Sequence, residues 1–355
     1  MNLLHPVSSL IPNKMPWHLL RKTVDYILSV QEADGAIPWF VNGKLDPWDH
    51  VEALMGLSIG GEFAAAKRGY EWLFAHQLDD GSWYSHYQNN IPQDTHHRET
   101  HFVAYIAVGL LHYGLISGDW DYIQSRYSQL QRAINFVLQY QTPYGDIHWA
   151  VNAEGIAQED ALITASASIY KSLQAANLIA QSLGVDEPLW LQAYQLLGDA
   201  LRNKPERFDR TWEPKTRFSM DWFYPIFSGV FNRDEARKQL DKRWQDFVYS
   251  PLGCRCVSDE PWVTIAESCE LILALCALDE RALAMQHFAN IFSLQDSDGG
   301  FWTGINYRDN AIWPEEKTTW TAGAVLLAAD ALFTFTDAAE FFCLEGGPYS
   351  ILREK

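Results

Sequence analysis

Residues 67–83 read KRGYEWLFAHQLDDGSW, and this stretch decides how the chain folds. Its apolar residues recur at the spacing of an amphipathic helix as far as Gln77. The letters DDG follow, in which Gly81 can take the positive φ that a tight turn requires. A large aromatic residue, Trp83, comes almost directly after the turn. The stretch therefore predicts an amphipathic helix that ends in a turn with a tryptophan behind it.

The same order of glutamine, turn glycine and tryptophan recurs along the chain. The further copies are Gln31…Gly35…Trp39, Gln141…Gly145…Trp149 and Gln295…Gly299…Trp302. Repetition of this kind is typical of a chain built from copies of one supersecondary unit. A glutamine near a helix end can bond the unpaired last carbonyls of that helix or the N–H groups of the next one. We expect the tryptophan to pack across the junction.

Helices of two kinds alternate through the sequence, six of each. One kind is amphipathic with a charged face, and the other is apolar and rich in small residues. A helix that is apolar on all sides must be buried, whereas an amphipathic helix faces solvent on one side. The alternation therefore predicts an all-α (α/α)6 toroid, with an inner helix ring inside an outer one. We expect one domain over residues 1–355, with an N-terminal extension at about 1–16, a C-terminal tail at about 335–355, and strands only as short hairpins in the long loops.

The composition narrows the classes of function. A net charge of −18 and a pI of about 4.9 argue against a nucleic-acid partner, because phosphate binding needs a basic surface. We predict no transmembrane segment and no signal peptide, since we find neither a long apolar run nor a basic region before an apolar core. Five cysteines fit a reducing cytoplasm better than a disulfide framework. We therefore expect a soluble cytoplasmic protein with no metal or cofactor, and its 15 tryptophans indicate a cavity lined by aromatic rings.

The full repeat at residues 67–83 resembles the QW repeat of the terpenoid cyclase and protein prenyltransferase toroids. The other copies are looser versions, so the resemblance covers most of the chain as repeated architecture. It implies an enzyme that acts on an isoprenoid in an aromatic-lined barrel, similar to squalene–hopene cyclase, by carboxylic-acid-initiated cyclisation. The chain departs from these families in its motifs. It has no Asp-x-Asp-Asp acid motif and no Asp-rich diphosphate motif, and Cys254-Arg-Cys256 has no matching histidine for a zinc site.

In a toroid, the loops that enter the inner helices surround one mouth of the barrel, and carboxylates and tryptophans recur there in all six helix pairs. The candidate catalytic residues are Asp49, Glu99, Asp160, Asp221 and Glu267. The candidate substrate-binding residues are Trp48, His50, His97, Trp222, Trp262, Trp313 and Trp320. The simpler interpretation of such acids is helix capping, because the helix dipole favours a carboxylate in the first turn. We assign that role to Asp46.

Two chemistries fit these residues. A cyclase needs a buried, protonated carboxylic acid and aromatic faces that stabilise carbocations, which Asp49 beside Trp48 or Asp221 beside Trp222 would provide. A glycoside hydrolase or lyase needs paired carboxylates that flank a sugar, with tryptophans stacked on the sugar faces. A non-catalytic binding toroid is a third interpretation. The resemblance favours the isoprenoid enzyme; the expected partner is a small molecule, either an isoprenoid or an oligosaccharide, and a homodimer is left open.

Overall fold

The computed structural model describes residues 17–211 and 213–342. In chain order its helices are α1 (Trp17–Val30), α2 (Pro47–Ile59), α3 (Phe63–Ala75), α4 (Thr100–Ala104), α5 (Ile106–Ser117), α6 (Trp120–Leu138), α7 (Ile163–Ser182), α8 (Pro188–Asn203), α9 (Met220–Phe227), α10 (Arg233–Phe247), α11 (Ile265–Ala277), α12 (Arg281–Phe292) and α13 (Thr319–Phe333). Its strands are β1 (Tyr87–Gln88), β2 (Ile91–Pro92), β3 (His97–Glu99), β4 (Ala150–Asn152), β5 (Val248–Tyr249), β6 (Gly253–Cys254), β7 (Trp262–Thr264), β8 (Gly304–Asn306) and β9 (Ala311–Ile312).

The helices form two concentric rings, which confirms the all-α toroid. The inner ring contains α2, the α4–α5 pair, α7, α9, α11 and α13, each packed against its neighbours. The ring closes where α13 packs against α2. The two helix backbones are so close there that a Cβ built on Gly323 would lie only 2.6 Å from the carbonyl oxygen of Glu52. The outer helices α1, α3, α6, α8, α10 and α12 surround this ring and carry the charged faces.

The glutamine of each repeat ties two outer helices together. The Gln77 side-chain Nε2 donates to the carbonyl of Gly81 in its own turn and to that of Gln129 in α6, both at 2.9 Å. Gln31 and Gln141 make the same pair of contacts, and Gln295 donates to Leu19 in α1 at 3.1 Å. The glutamines thus bridge to the next outer helix, through its carbonyl oxygens rather than the predicted N–H groups. We call this arrangement the glutamine clasp.

The turn glycine of the clasp allows this approach. Gly81 has a φ of +95°, and a Cβ there would lie 2.4 Å from the carbonyl oxygen of Arg132 in α6. Any side chain would therefore be strained at this φ and would push the turn away from α6. The tryptophan of this repeat packs as predicted, since Trp83 is 1% exposed and its indole N–H donates to Leu73 at 2.7 Å.

The short strands lie in the long loops that lead into the inner helices. Strand β3 pairs with β4, which joins the loop before α4 to the loop before α7. Strands β7, β8 and β9 form one antiparallel sheet, which joins the loops before α11 and α13. All these loops precede the N-termini of inner helices, so they surround one mouth of the toroid. The short hairpins expected from the sequence are confirmed.

Two apolar segments of the sequence are buried in the structure. The window Thr100–Ser117 is long and apolar enough to cross a membrane by composition, and 78% of it is buried inside the ring. The tail expected from about residue 335 is packed at its start, because Phe341 and Phe342 are buried and the Lys171 amine donates to the Phe341 carbonyl at 2.7 Å. The predicted extension at 1–16 and the rest of the tail, 343–355, lie outside the described residues. The one-domain organisation stays a prediction.

Candidate active site

The first turn of α2 positions the site on one side of the mouth. Asp46 caps the helix, as predicted, since its Oδ1 accepts a hydrogen bond from the Asp49 N–H at 2.9 Å. Its Oδ2 accepts from the Trp39 indole at 3.2 Å and lies 3.3 Å from the Lys44 amine. Asp46 is therefore fully engaged in holding the start of α2. Its charge nevertheless acts on the next carboxyl along the helix.

That next carboxyl belongs to Asp49, which is partly exposed at the mouth. Burial among protein atoms raises its pKa well above the ordinary range, and the nearby Asp46 and Glu52 raise it further. The protonated form of Asp49 is therefore favoured. A protonated carboxyl that still reaches solvent can donate its proton to a bound molecule.

Two glutamates that the sequence analysis missed extend this cluster into the barrel. Glu52 lies on α2 and Glu270 on α11, and their exposures are only 5% and 6%. Burial raises the pKa of Glu52 to about 8, with a further contribution from Asp46 and Glu267. Burial likewise raises the pKa of Glu270 well above its ordinary value, with Glu52 next in importance. Acids on otherwise apolar helices were the signal that could have identified them.

Glu267 brings a second predicted catalytic residue into this group. It stands in the first turn of α11 and is 8% exposed. Its charge acts on Glu52, on Glu270 and on the Cys256 thiol. The structure therefore gathers carboxyls of α2 and α11 around one space. We call Asp49, Glu52, Glu267 and Glu270 the acid cluster.

Aromatic rings close the centre of the barrel beside the acid cluster. The ring of Trp48 lies 5.3 Å from that of Tyr105 and 5.7 Å from that of Tyr224, between centroids. Because α2 and α9 are on opposite sides of the inner ring, the contact with Tyr224 spans the barrel. Both tyrosines are buried and electrostatically coupled to Glu52 and Glu270. The aromatic lining expected from the sequence is therefore present, and Trp48 belongs to it.

Glu99 lies next to this lining in a trio with two histidines. Its carboxylate oxygens are 3.5 Å from Nε2 of His97 and 3.3 Å from Nε2 of His101. Although burial opposes its charge, the two histidines lower the pKa of Glu99. The ring of His101 packs 5.0 Å from that of Trp48. Glu99 is thus an ionised, paired carboxylate, which suits binding at the mouth better than proton donation.

The two other predicted acids lie apart from the acid cluster. Both oxygens of Asp160 accept hydrogen bonds from the loop at 209–211, including 2.8 Å bonds from the backbone and hydroxyl of Thr211. Asp160 therefore holds that loop in place. Asp221 accepts a 2.6 Å bond from Thr164, and burial raises its pKa to about 6. It faces the mouth from α9, opposite α2.

Two predicted substrate-binding residues point away from the mouth and are corrected here. His50 is fully buried, with Nδ1 accepting from Ile37 N–H at 3.1 Å and Nε2 donating to Gly69 at 3.0 Å. Trp222 is 1% exposed, and its indole N–H donates to the carbonyls of α10. Both residues use their polar atoms to hold an outer element. Neither has a free group for a substrate.

The remaining predicted tryptophans stay near the mouth. Trp320 is partly exposed, and its ring lies 6.4 Å from that of Trp39. Trp262 and Trp313 line a groove of about 670 Å³ whose lining also includes Cys256. Their rings are 4.9 Å apart at 75°. Among residues 17–211 and 213–342, no group of three or more His, Cys, Asp or Glu could hold a metal ion.

The chain is similar to a characterised enzyme over nearly its whole length. It is 40% identical to "MMP endo-(1,4)-3-O-methyl-alpha-D-mannosidase" from Mycolicibacterium hassiacum, across 94% of this chain and 91% of that protein. Solved structures with the same fold include a glycosidase variant in complex with glucose (TM-score 0.67, 15% identity, covering 90% of this chain and 97% of that one) and a D-mannose isomerase (TM-score 0.69, 13% identity, 92% and 99%). No protein-family model matches the chain.

These similarities overturn the resemblance to the terpenoid cyclases and prenyltransferases. The relative acts on a carbohydrate, and the structural neighbours are carbohydrate enzymes with an (α/α)6 fold. The isoprenoid substrate and the acid-initiated cyclisation are therefore wrong. The expectations of an enzyme and of a small-molecule substrate are confirmed, and the carbohydrate alternative replaces the favoured one. The cytoplasmic location and a homodimer stay predictions.

Proposed function

Because the chain belongs to the family of the Mycolicibacterium hassiacum endo-mannosidase, we propose that it is a glycoside hydrolase that cleaves internal (1,4) linkages between 3-O-methylated α-D-mannose residues. The acid cluster supports this proposal with the two carboxyls that such a reaction needs. One, Asp49, has a pKa raised well above its ordinary range and is partly open to the mouth, and the other, Glu267, lies in the first turn of a different inner helix.

We assign the general acid to Asp49. Its carboxyl would donate a proton to the glycosidic oxygen while the bond from that oxygen to the anomeric carbon breaks. The raised pKa, which comes first from burial and then from Asp46 and Glu52, favours the protonated form that this step needs. Burial of the same kind tunes catalytic acids in other glycosidases. This raised pKa is the observation that carries the assignment.

We assign the base or nucleophile to Glu267. As a base it would take a proton from the attacking water. As a nucleophile it would bond the anomeric carbon itself, and water would later release it. Glu52 is protonated at neutral pH, because its pKa is about 8, so it adds no charge beside Glu267 there. The rings of Trp48 and Tyr224 border the site and offer apolar faces to a sugar ring.

The test is hydrolysis of a 3-O-methylated α-(1,4)-mannan oligosaccharide. We expect internal cleavage, detected as shorter oligosaccharides by mass spectrometry and as new reducing ends. Asp49→Asn and Glu267→Gln should each lower kcat by about 10²–10⁴-fold, the usual contribution of a positioned acid or base. The matched control is Glu154→Gln, an exposed carboxyl in the loop after β4.

Two outcomes would contradict the proposed activity or the assigned residues. Failure of the wild-type protein to cleave this substrate would refute the proposed activity. Full activity of either cluster variant, with the control also unchanged, would refute the assignment of that residue. Proton NMR of the first product then gives the anomeric configuration, which separates a base from a nucleophile at Glu267.

A further inference from the structure

A groove leads outward from the acid cluster along the rim of the mouth. Its walls come from the loop before α9, the loop before α11 and the β8–β9 hairpin. Its volume of about 670 Å³ falls within the range of about 300–1,000 Å³ typical of small-ligand sites. The inner end of the groove is Cys256, whose thiol interacts electrostatically with the carboxyl of Glu267. The groove therefore starts beside a proposed catalytic carboxyl.

The outer end of the groove carries an exposed tryptophan. Trp313 is 56% exposed, and it is the only tryptophan in 17–211 and 213–342 whose side chain is mostly open to solvent. Two hydrogen bonds fix its backbone: its N–H donates to Gly304 at 3.0 Å, and its carbonyl accepts from the Trp262 indole at 2.8 Å. With the apolar residues of the groove this exposed ring forms one continuous apolar surface, which is the kind of patch that marks a ligand-binding groove.

The lining between these ends suits a methylated sugar chain. Phe218, Val257, Pro261 and Trp262 supply apolar surface, on which the faces and O-methyl groups of sugars can be buried. Arg217 and Glu260 stand on the same walls, where they can bond free hydroxyls. The guanidinium of Arg217 is already oriented by Asp259 at 3.0 Å. Apolar walls with a few placed polar groups are the usual composition of a ligand site.

We propose that this groove is an outer subsite, in which sugar residues remote from the cleaved linkage stack on Trp262 and Trp313. The inference rests on the proposed function and adds to it that long chains are the preferred substrates. The groove holds the chain on the Glu267 side of the cleaved bond. Binding there improves affinity for the substrate and leaves the chemical step to the acid cluster.

The test measures binding separately from hydrolysis. The inactive Glu267→Gln protein is titrated calorimetrically with a short and a long 3-O-methylated α-(1,4)-mannan oligosaccharide. We expect the long chain to bind more tightly, and Trp313→Ala in this background to raise its Kd about tenfold, the usual loss for an aromatic anchor. Trp313→Phe keeps an apolar ring and should retain most of the affinity. The control is Tyr144→Ala, since Tyr144 is also 56% exposed but lies outside the groove.

The outcomes separate this inference from the proposed activity. Equal Kd values for the long chain with and without the Trp313 ring would overturn the subsite, even if the wild-type enzyme cleaves the chain. Trp313-dependent binding in a protein without hydrolytic activity would support the subsite and overturn the proposed reaction. Absence of any binding to the oligosaccharides would overturn the subsite as well.

Discussion

Replacing Glu52 by glutamine is expected to stabilise the protein at neutral pH, although Glu52 is buried in the core of the site. The side chain is 5% exposed, and the charged groups that act on it most, Asp46 and Glu267, are acidic as well. The folded protein therefore holds Glu52 in its protonated form, with a pKa of about 8. Glutamine has the shape of that protonated form and needs no proton.

The size of the effect follows from linkage between protonation and folding. In the unfolded chain Glu52 has its ordinary pKa of 4.5, so at pH 7 it is ionised and must take up a proton to fold. Each pH unit between the two pKa values corresponds to 1.36 kcal/mol, so the cost at pH 7 is about 3 kcal/mol. The folded pKa is the higher one, so this cost is absent below pH 4.5 and grows until the pH reaches about 8.

The assay is denaturant or thermal unfolding of the wild-type protein and Glu52→Gln at several values between pH 4.5 and 8. We expect the variant to gain stability at pH 7, by about 3 kcal/mol, and the two proteins to converge towards pH 4.5. Glu154→Gln, at an exposed position, should follow the wild type throughout. A variant that is no more stable at pH 7, or whose advantage stays constant with pH, would refute the assigned ionisation state of Glu52.

Three further predictions concern the clasp and the acid. Gly81→Ala should lower the free energy of unfolding by roughly 2–3 kcal/mol, since its Cβ would meet a carbonyl of α6, whereas Gly61→Ala, at φ +74° with open space around it, should lose only about 1 kcal/mol in the same urea titration. Gln77→Ala removes the two hydrogen bonds that Nε2 donates and the one that Oε1 accepts from Arg132, and it should cost about 1–2 kcal/mol, against almost none for the exposed Gln124→Ala. The kcat/KM of the wild-type enzyme should fall on the alkaline side as Asp49 loses its proton; a profile without that limb would contradict its role as the acid.

The fold could be predicted from the sequence because the clasp is a local device that repeats. Gln77, Gly81 and Trp83 act on the neighbouring outer helix and on their own turn, so their spacing reports how outer helices are joined. None of them reaches the cavity. The same arrangement can therefore occur in toroids that catalyse unrelated reactions. For this reason the resemblance to isoprenoid enzymes predicted the fold correctly and the substrate wrongly.

The site was predicted in part. Asp49 and Glu267 lie in first turns at the mouth, where helix starts alone could locate them. His50 and Trp222, which directly follow Asp49 and Asp221, were predicted wrongly for a geometric reason, because adjacent residues of a helix point in different directions. His50 follows Asp49 directly but faces the outer helix α3 through the carbonyl of Gly69, whereas Trp48, which precedes Asp49, faces the barrel.

The deeper part of the cluster needed the structure. Glu52 and Glu270 lie inside helices that the sequence analysis treated as apolar throughout, and their proximity depends on how α2 and α11 approach across the ring. Sequence spacing carries no measure of that distance. The pKa of Glu52 depends on this arrangement as well, because it is raised both by Asp46, at the start of α2, and by Glu267, in α11.

The clasp joins four of the six neighbouring pairs of outer helices, and in the described residues the two pairs without it both include α10. This helix buries only Ala236, Leu240 and Phe247, and its backbone is non-helical at Arg243. We expect local unfolding of the outer ring to begin at α10. The amide hydrogens of α10 should then exchange with deuterium before those of the helices that the clasp joins. The loops on both sides of the α9–α10 pair help to form the groove walls, so such local opening would widen the groove and let a bound chain leave.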